Sequence, residues 1–297
     1  MSQTHRARVV SVGKNAAWVV LDEELAPRLA QLKRMTGKRT MLAPGDVVHV
    51  QLLEDEKVLV DRIEPRSFTL ERRSFDGRAK TMAANVDTMV TVTAFADPPA
   101  RLVTLDQLLA FAELQSIRPM VIFTKPDLAD PRVRSWMVAL YGGLGYDVIV
   151  INPRAGDNVD DLRAQLQGKH ALLCGVSGVG KSSLFRALGG DAVIGDVSRF
   201  GLGRQTTSTA RLYRLEDGFL IDSPGVAEFG LGQIESPELV QGFREMAEPA
   251  ARCRFTDCSH LHEPDCGVRA AVADGGIDPS RYASFRKILG GRAGPES

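Results

Sequence analysis

The spacing of apolar positions changes along this chain of 297 residues, and the change divides it. Four runs, Arg8–Val12, Ala17–Leu21, Val47–Leu52 and Lys57–Ile63, are rich in β-branched residues and predict short strands. Gly13–Asn15 and Ala43–Asp46 punctuate them as turns. A small β-barrel of the OB type fits this length and strand count, and other small barrels fit the pattern equally well. From Val86 the pattern alternates between strands and helices. Thr88–Val92, Met120–Phe123 and Val148–Ile151 read as strands. Leu102, Leu105, Leu108, Leu109 and Ala112 fall at helical spacing, and Val133–Leu140 and Asp160–Leu166 fit helices. Arg211–Leu215 and Gly218–Ile221 read as further strands. The expected architecture is α/β, a mostly parallel sheet with helices on both faces.

Between these regions, Arg66, Arg72, Arg73, Arg78 and Lys80 crowd a stretch with Gly77 and little periodicity, which reads as a basic, mobile linker. From about Glu248 the tail is short and bears cysteines. The expected divisions are a barrel over 1–66, a linker over 67–84, an α/β domain over 85–235 and a small helical, zinc-binding domain over 236–297.

Composition changes little in this picture. At 44% apolar and 25% charged residues, the chain reads as an ordinary globular protein. No apolar run approaches the length of a membrane-spanning helix. Met1–Arg8 lacks the apolar core of a secretory signal, so a cytoplasmic location and no membrane partner are expected. Net charge is +0, yet residues 1–80 carry 15 Lys/Arg against 11 Asp/Glu. That surplus hints at a polyanion partner, although a solvated charged face accounts for it as well. No heptads or repeats point to an oligomer, and a monomer is expected.

The chemistry is concentrated in short motifs. Gly175-Val176-Ser177-Gly178-Val179-Gly180-Lys181-Ser182 is a G-x-x-x-x-G-K-S phosphate loop, with Ser183 following. It stands between the apolar run His170–Cys174 and the helical run Ser183–Leu188, the required strand–loop–helix order. Backbone N–H groups of such a loop wrap nucleotide phosphates, Lys181 supplies a point charge and the Ser182 hydroxyl reaches Mg²⁺. A chance match is the competing reading, roughly one chain in a hundred at average residue usage.

Asp222-Ser-Pro-Gly225 follows an apolar strand, where Asp222 can hold Mg²⁺ through water and Gly225 can offer its N–H to a γ-phosphate. A strand-end turn is the bland alternative. Gly203-Arg204-Gln205-Thr206-Thr207 occupies the place of a first nucleotide-sensing switch, with Thr207 favoured over Thr206 to complete the Mg²⁺ shell; a plain exposed loop would look the same.

Thr124-Lys125-Pro126-Asp127 stands at another strand end. In a [NT]-K-x-D motif the carboxylate accepts hydrogen bonds from guanine N1 and N2, and adenine would leave it unpaired. The Lys125 stem packs along the base. Together the motifs favour GTP over ATP. Their order is unusual, because the base-reading motif precedes the phosphate loop. The domain therefore reads as a circular permutation. The second switch then leads almost directly into the tail, so losing the γ-phosphate should shift whatever is attached there.

In the tail, Cys253, Cys258, His260 and Cys266 lie within one short segment. Three thiolates and an imidazole make a closed, structural Zn²⁺ site, with His262 a rival ligand. Cys174, in the strand before the phosphate loop, reads as core.

The order Thr-Lys-x-Asp, Gly-x-Ser-Gly-Val-Gly-Lys-Ser-Ser, Gly-Arg-x-Thr-Thr, Asp-x-Pro-Gly and Cys…Cys-x-His…Cys resembles the family of ribosome small subunit-dependent GTPase A (RsgA, also called YjeQ) across nearly the whole chain. The resemblance implies a circularly permuted P-loop GTPase with an N-terminal OB-fold and a C-terminal zinc domain. It implies action late in maturation of the 30S subunit, with hydrolysis stimulated by that subunit. GTP and GDP, the 30S particle and its 16S rRNA are the implied partners, and the barrel and residues 66–80 the implied rRNA face. Two departures stand out. Many members carry His where this chain has Gln205, and Val226 replaces the water-orienting Gln of Ras-type enzymes, so Gln205 and Lys181 are the catalytic candidates. Asn152-Pro-Arg-Ala155 replaces the usual Ser-Ala that supports the base. The rival functions are an RNA-binding assembly module with a vestigial nucleotide site and a P-loop kinase or ATPase.

Overall fold

The computed structural model describes residues 4–13, 16–22, 24, 26–32, 42–53, 57–73, 79–188, 211–215, 218–222 and 236–290. They pack into two compact units. One comprises residues 1–87, 163–173 and 188–225, the other 88–162, 174–187 and 226–297.

The first unit opens with five strands: β1 (Thr4–Val12), β2 (Ala16–Leu21), β3 (Pro27–Leu32), β4 (Val47–Leu52) and β5 (Val58–Ile63). They close a barrel in the order β1-β2-β3-β5-β4, with β3 and β5 parallel and the other pairs antiparallel. Alternate side chains such as Val9, Val19, Val48 and Val50 fill it. The strand β3 was not expected, because Pro-Arg-Leu-Ala-Gln-Leu carries no β-branched residue. Its pairing with both β2 and β5 supplies what local propensity does not.

The expected linker also differs. Its segments form β6 (Thr69–Arg73) and β7 (Ala79–Ala84), an antiparallel pair whose register shifts between Leu70 and Glu71. That bulge breaks the two-residue alternation by which a strand is read from sequence. At its start, Arg66 is not a loose cation. It makes a two-pronged pair with the fully buried Asp46, Nε to Oδ1 at 2.7 Å and Nη2 to Oδ2 at 2.8 Å. The same carboxylate accepts the Ala43 N–H at 2.8 Å, which folds the barrel's Ala43–Asp46 turn. Gly45 in that turn has φ +92° and lies against the Ala84 carbonyl, where a Cβ would collide.

Six strands make the main sheet in the order β10-β9-β8-β11-β13-β12. They are β8 (Thr88–Ala94), β9 (Arg118–Thr124), β10 (Asp147–Ile151), β11 (His170–Cys174), β12 (Arg211–Leu215) and β13 (Gly218–Asp222). Neighbours β8/β9, β9/β10 and β11/β13 are parallel, and β12 runs antiparallel at the edge. Every residue of β8 is buried, as expected of a central strand covered on both faces.

In the second unit, α1 (Leu102–Leu114) and α2 (Pro131–Gly143) pack on β9. Phe123 of β9 stacks on Phe95 with ring centroids 4.8 Å apart. Asp130 caps α2 by accepting the Arg132 N–H at 2.7 Å, with Pro131 in the first turn. Two shorter helices, α3 (Val159–Leu166) and α4 (Lys181–Ala187), follow β10 and β11.

The C-terminal segment carries α5 (Ser236–Leu239), α6 (Arg244–Ala250), α7 (Gly267–Ala273) and α8 (Pro279–Leu289). Phe243, Met246, Val268 and Phe285 join Ala110 of α1 in one apolar cluster. At its edge Arg281, 0% exposed, donates to Asp106 of α1 and, through Nε at 2.6 Å, to Glu245 of α6. Tyr141 of α2 donates to the same Asp106 oxygen at 2.8 Å. Burial opposes the Arg281 charge, and the two carboxylates outweigh it, so its pKa lies above the ordinary arginine value. Arg244 adds a second tie, donating to Glu113 and to the Gly145 carbonyl, each at 2.6 Å. These ties fasten the C-terminal segment to α1 and to the turn that follows α2.

Candidate nucleotide site and metal centre

Parallel sheets bind ligands at the carboxyl ends of their strands. There β9 ends at Thr124, β11 at Cys174 and β13 at Asp222. Thr124 is buried, and its hydroxyl donates to the Val179 carbonyl of the phosphate loop at 2.6 Å. The Thr124 side chain also lies where a Cβ on Gly180 would touch it, at 3.8 Å. The two motifs, reversed in linear order, therefore meet through one side chain.

After Thr124 the chain turns sharply. Lys125 adopts φ 55°, and Pro126–Leu128 make one 3₁₀ turn that carries Asp127. The Lys125 ammonium donates to the Asp97 carbonyl. Asp127 accepts the Asn152 side-chain amide at 3.3 Å.

The phosphate loop leaves β11 at Gly175, whose φ of +147° and contact with the Val92 carbonyl exclude a side chain. Val179 is the loop's buried anchor, whereas Ser177, Gly178 and Ser182 are exposed. Lys181 opens α4, and its ammonium folds back to the carbonyls of Gly175 and Val176 at 2.6 and 2.7 Å. Val176 and Ser183 are partly buried beside it. Asp222 pairs in register with Leu173 of β11. Gln205, Thr206, Thr207 and Gly225 lie outside the described residues.

The four tail residues converge. The ligand atoms of Cys253, Cys258, His260 and Cys266 lie within 4.8 Å of one another. His260 Nδ1 is 3.5 Å from the sulfurs of both Cys253 and Cys266. His262, the rival, is exposed and outside this cluster. Three sulfurs and a nitrogen suit a tetrahedral cation, and the Gly267 N–H donates to Cys253 Sγ at 3.3 Å, as outer-shell groups of such sites do. Burial pushes the Cys258 thiol up to about 12, so a cation entering the cluster must displace its proton.

Sequence reading missed Glu263. Its carboxylate accepts the Ser259 N–H at 2.9 Å, the Ser259 hydroxyl at 2.5 Å, and the Leu261 and His262 N–H groups at 3.2 and 3.3 Å. These bonds, the Ser259 hydroxyl foremost, hold it well below the usual carboxylate range. They shape the turn in which His260 takes φ 61°. A Glu amid Cys-Ser-His-Leu-His-Glu was the available signal.

A family model, the RsgA GTPase, matches residues 63–232. The chain belongs to the RsgA GTPase family. It is a GTP-hydrolysing enzyme with a circularly permuted domain. Two relatives in this family are each called small ribosomal subunit biogenesis GTPase RsgA. That of Haemophilus influenzae is 36% identical over 272 residues, 87% of this chain and 78% of its own. That of Ectopseudomonas mendocina is 39% identical over 263 residues, 86% and 74% respectively. Among solved structures, YjeQ from Thermotoga maritima superposes with a TM-score of 0.78 at 29% identity, covering 99% of this chain and 100% of that one. YloQ, described as a circularly permuted GTPase, gives 0.75 at 25% identity, covering 99% and 98%.

Proposed function

We propose that this GTPase acts in late maturation of the small ribosomal subunit, binding its 16S rRNA and hydrolysing GTP faster on the particle than alone. The relatives' names support the subunit, and the Thr124–Val179 contact carries the nucleotide reading, because it seats a base-reading carboxylate and a phosphate loop on one framework. In this reading Asp127 accepts from guanine N1 and N2 while the Lys125 stem lies along the ring. The N–H groups from Gly175 to Ser183 surround the phosphates, and Lys181 exchanges its carbonyl partners for phosphate oxygens. Ser182, Thr207 and Asp222 would hold Mg²⁺, which neutralises charge developing on the phosphates. Gln205 orients the attacking water and Gly225 senses the γ-phosphate.

The Cys253–Cys258–His260–Cys266 cluster would hold Zn²⁺ as a structural ion, a fit that rests on its three sulfurs and one imidazole nitrogen. Among the described residues no helix is long and apolar enough to cross a membrane. A monomer working in the cytoplasm fits this reading.

The test is a GTPase assay on the purified protein with and without 30S subunits, with ATP as competitor. Stimulation by 30S and indifference to excess ATP are expected. An unchanged rate on every ribosomal particle overturns the subunit role, and equal competition by ATP overturns the guanine assignment. Full biological activity in K181A would favour the RNA-binding module with a vestigial site.

A further inference from the structure

The loop Asn152–Asn158, which follows β10, departs from the usual base-supporting sequence. Its geometry gives that departure a purpose. In the parallel register Ile151 stands opposite Thr124, so Asn152 emerges beside the base-reading turn. Its Oδ1 accepts the Arg154 N–H at 3.3 Å, and its carbonyl accepts the N–H groups of Ala155 and Gly156 at 3.1 and 3.0 Å. Asn158, at φ 57°, closes the loop by donating to the Val150 carbonyl at 2.7 Å. With its oxygen engaged in the turn, the Asn152 amide has its nitrogen left to donate, and that nitrogen donates to Asp127 Oδ1 at 3.3 Å.

We infer that Asn152 is a positioning residue for base specificity: its amide fixes the rotation of the Asp127 carboxylate so that both oxygens face the two adjacent donors of guanine. The inference rests on the guanine reading above. An ionised carboxylate has about four lone-pair sites, so Oδ1 can accept from Asn152 and from the base together. Asp127 is exposed, and without this bond its carboxylate turns freely in water. A turning carboxylate still meets one donor but loses the paired geometry that distinguishes guanine from bases with fewer donors.

Two variants separate positioning from loop support. N152D keeps an oxygen for the Arg154 N–H and replaces only the nitrogen, setting an acceptor against Asp127. N152A removes both contacts. Binding of GDP and of inosine diphosphate, which lacks the exocyclic amine, is measured by calorimetry on the full chain, with ADP as the control for the guanine reading itself. The expected result is GDP affinity about tenfold weaker in N152D and about three- to tenfold weaker in N152A, with a smaller GDP-to-IDP ratio in both. N152D binding GDP within about twofold of the native chain, or both variants losing GDP and IDP in equal proportion, overturns the inference. ADP binding as tightly as GDP in the native chain overturns the guanine reading instead, and is read before either variant.

Discussion

Replacing Arg281 by methionine strands two carboxylates. The native guanidinium is buried with Asp106 and Glu245, whose side chains are 1% and 6% exposed, and it lies 4.6 Å from the centroid of Phe243. Methionine fills much of the same space and keeps the apolar contacts, so the loss is electrostatic. Removing one member of a buried, hydrogen-bonded ion pair costs about 3–5 kcal/mol. The lost cation–π contact adds on the order of 1 kcal/mol. At about 2–4 °C per kcal/mol for a unit of this size, the midpoint of thermal unfolding should fall by roughly 10–20 °C. Calorimetry gives the midpoint, and hydrogen exchange of peptides from α6 and α8 shows where protection is lost. The double variant D106N/R281M should recover part of the loss, because it removes one stranded charge. A midpoint within about 2 °C of the native protein, with α8 still protected, would refute the reasoning and leave the tail held by apolar packing alone.

Three further outcomes follow from the sites. T124V keeps the shape of a buried side chain but leaves the Val179 carbonyl without its 2.6 Å donor, so GDP affinity should fall by about tenfold while T124S stays near native; equal affinities for native protein and T124V would show that the contact does not set the site. Zinc affinity, measured by chelator competition, should fall as pH drops, because Cys258 with its pKa raised to about 12 binds a cation only by giving up a proton. It should also weaken about 10- to 100-fold in E263Q, whose single amide oxygen can accept from Ser259 or from Leu261 and His262, not from both sets as the two carboxylate oxygens do; a pH-independent affinity, or E263Q equal to native, counts against these assignments.

What could be read from the sequence was what short segments dictate. Helical spacing at Leu105, Leu108, Leu109 and Ala112 marks the buried stripe of α1, and these side chains are buried. The glycine-rich motif is legible because its loop works through its own backbone, and the Lys-x-Asp motif because its two working side chains stand in one short segment. Pairings between distant segments left no local trace. Pro27–Leu32 becomes a strand only through its partners, and Asp106 meets an arginine 175 positions away. Asn152 was visible only as a departure, since its value lies in a turn that aims one amide nitrogen.

The Thr124 hydroxyl spans 55 positions of chain to reach Val179. On the guanine reading, a nucleotide laid across both motifs works as a clasp: it binds only chains in which the two are already docked. At a hundred times its dissociation constant such a ligand deepens the folded state by about 2.7 kcal/mol. Starved of guanine nucleotide, the enzyme would lose resistance to proteases along with its substrate, so the same shortage that idles it would also shorten its lifetime.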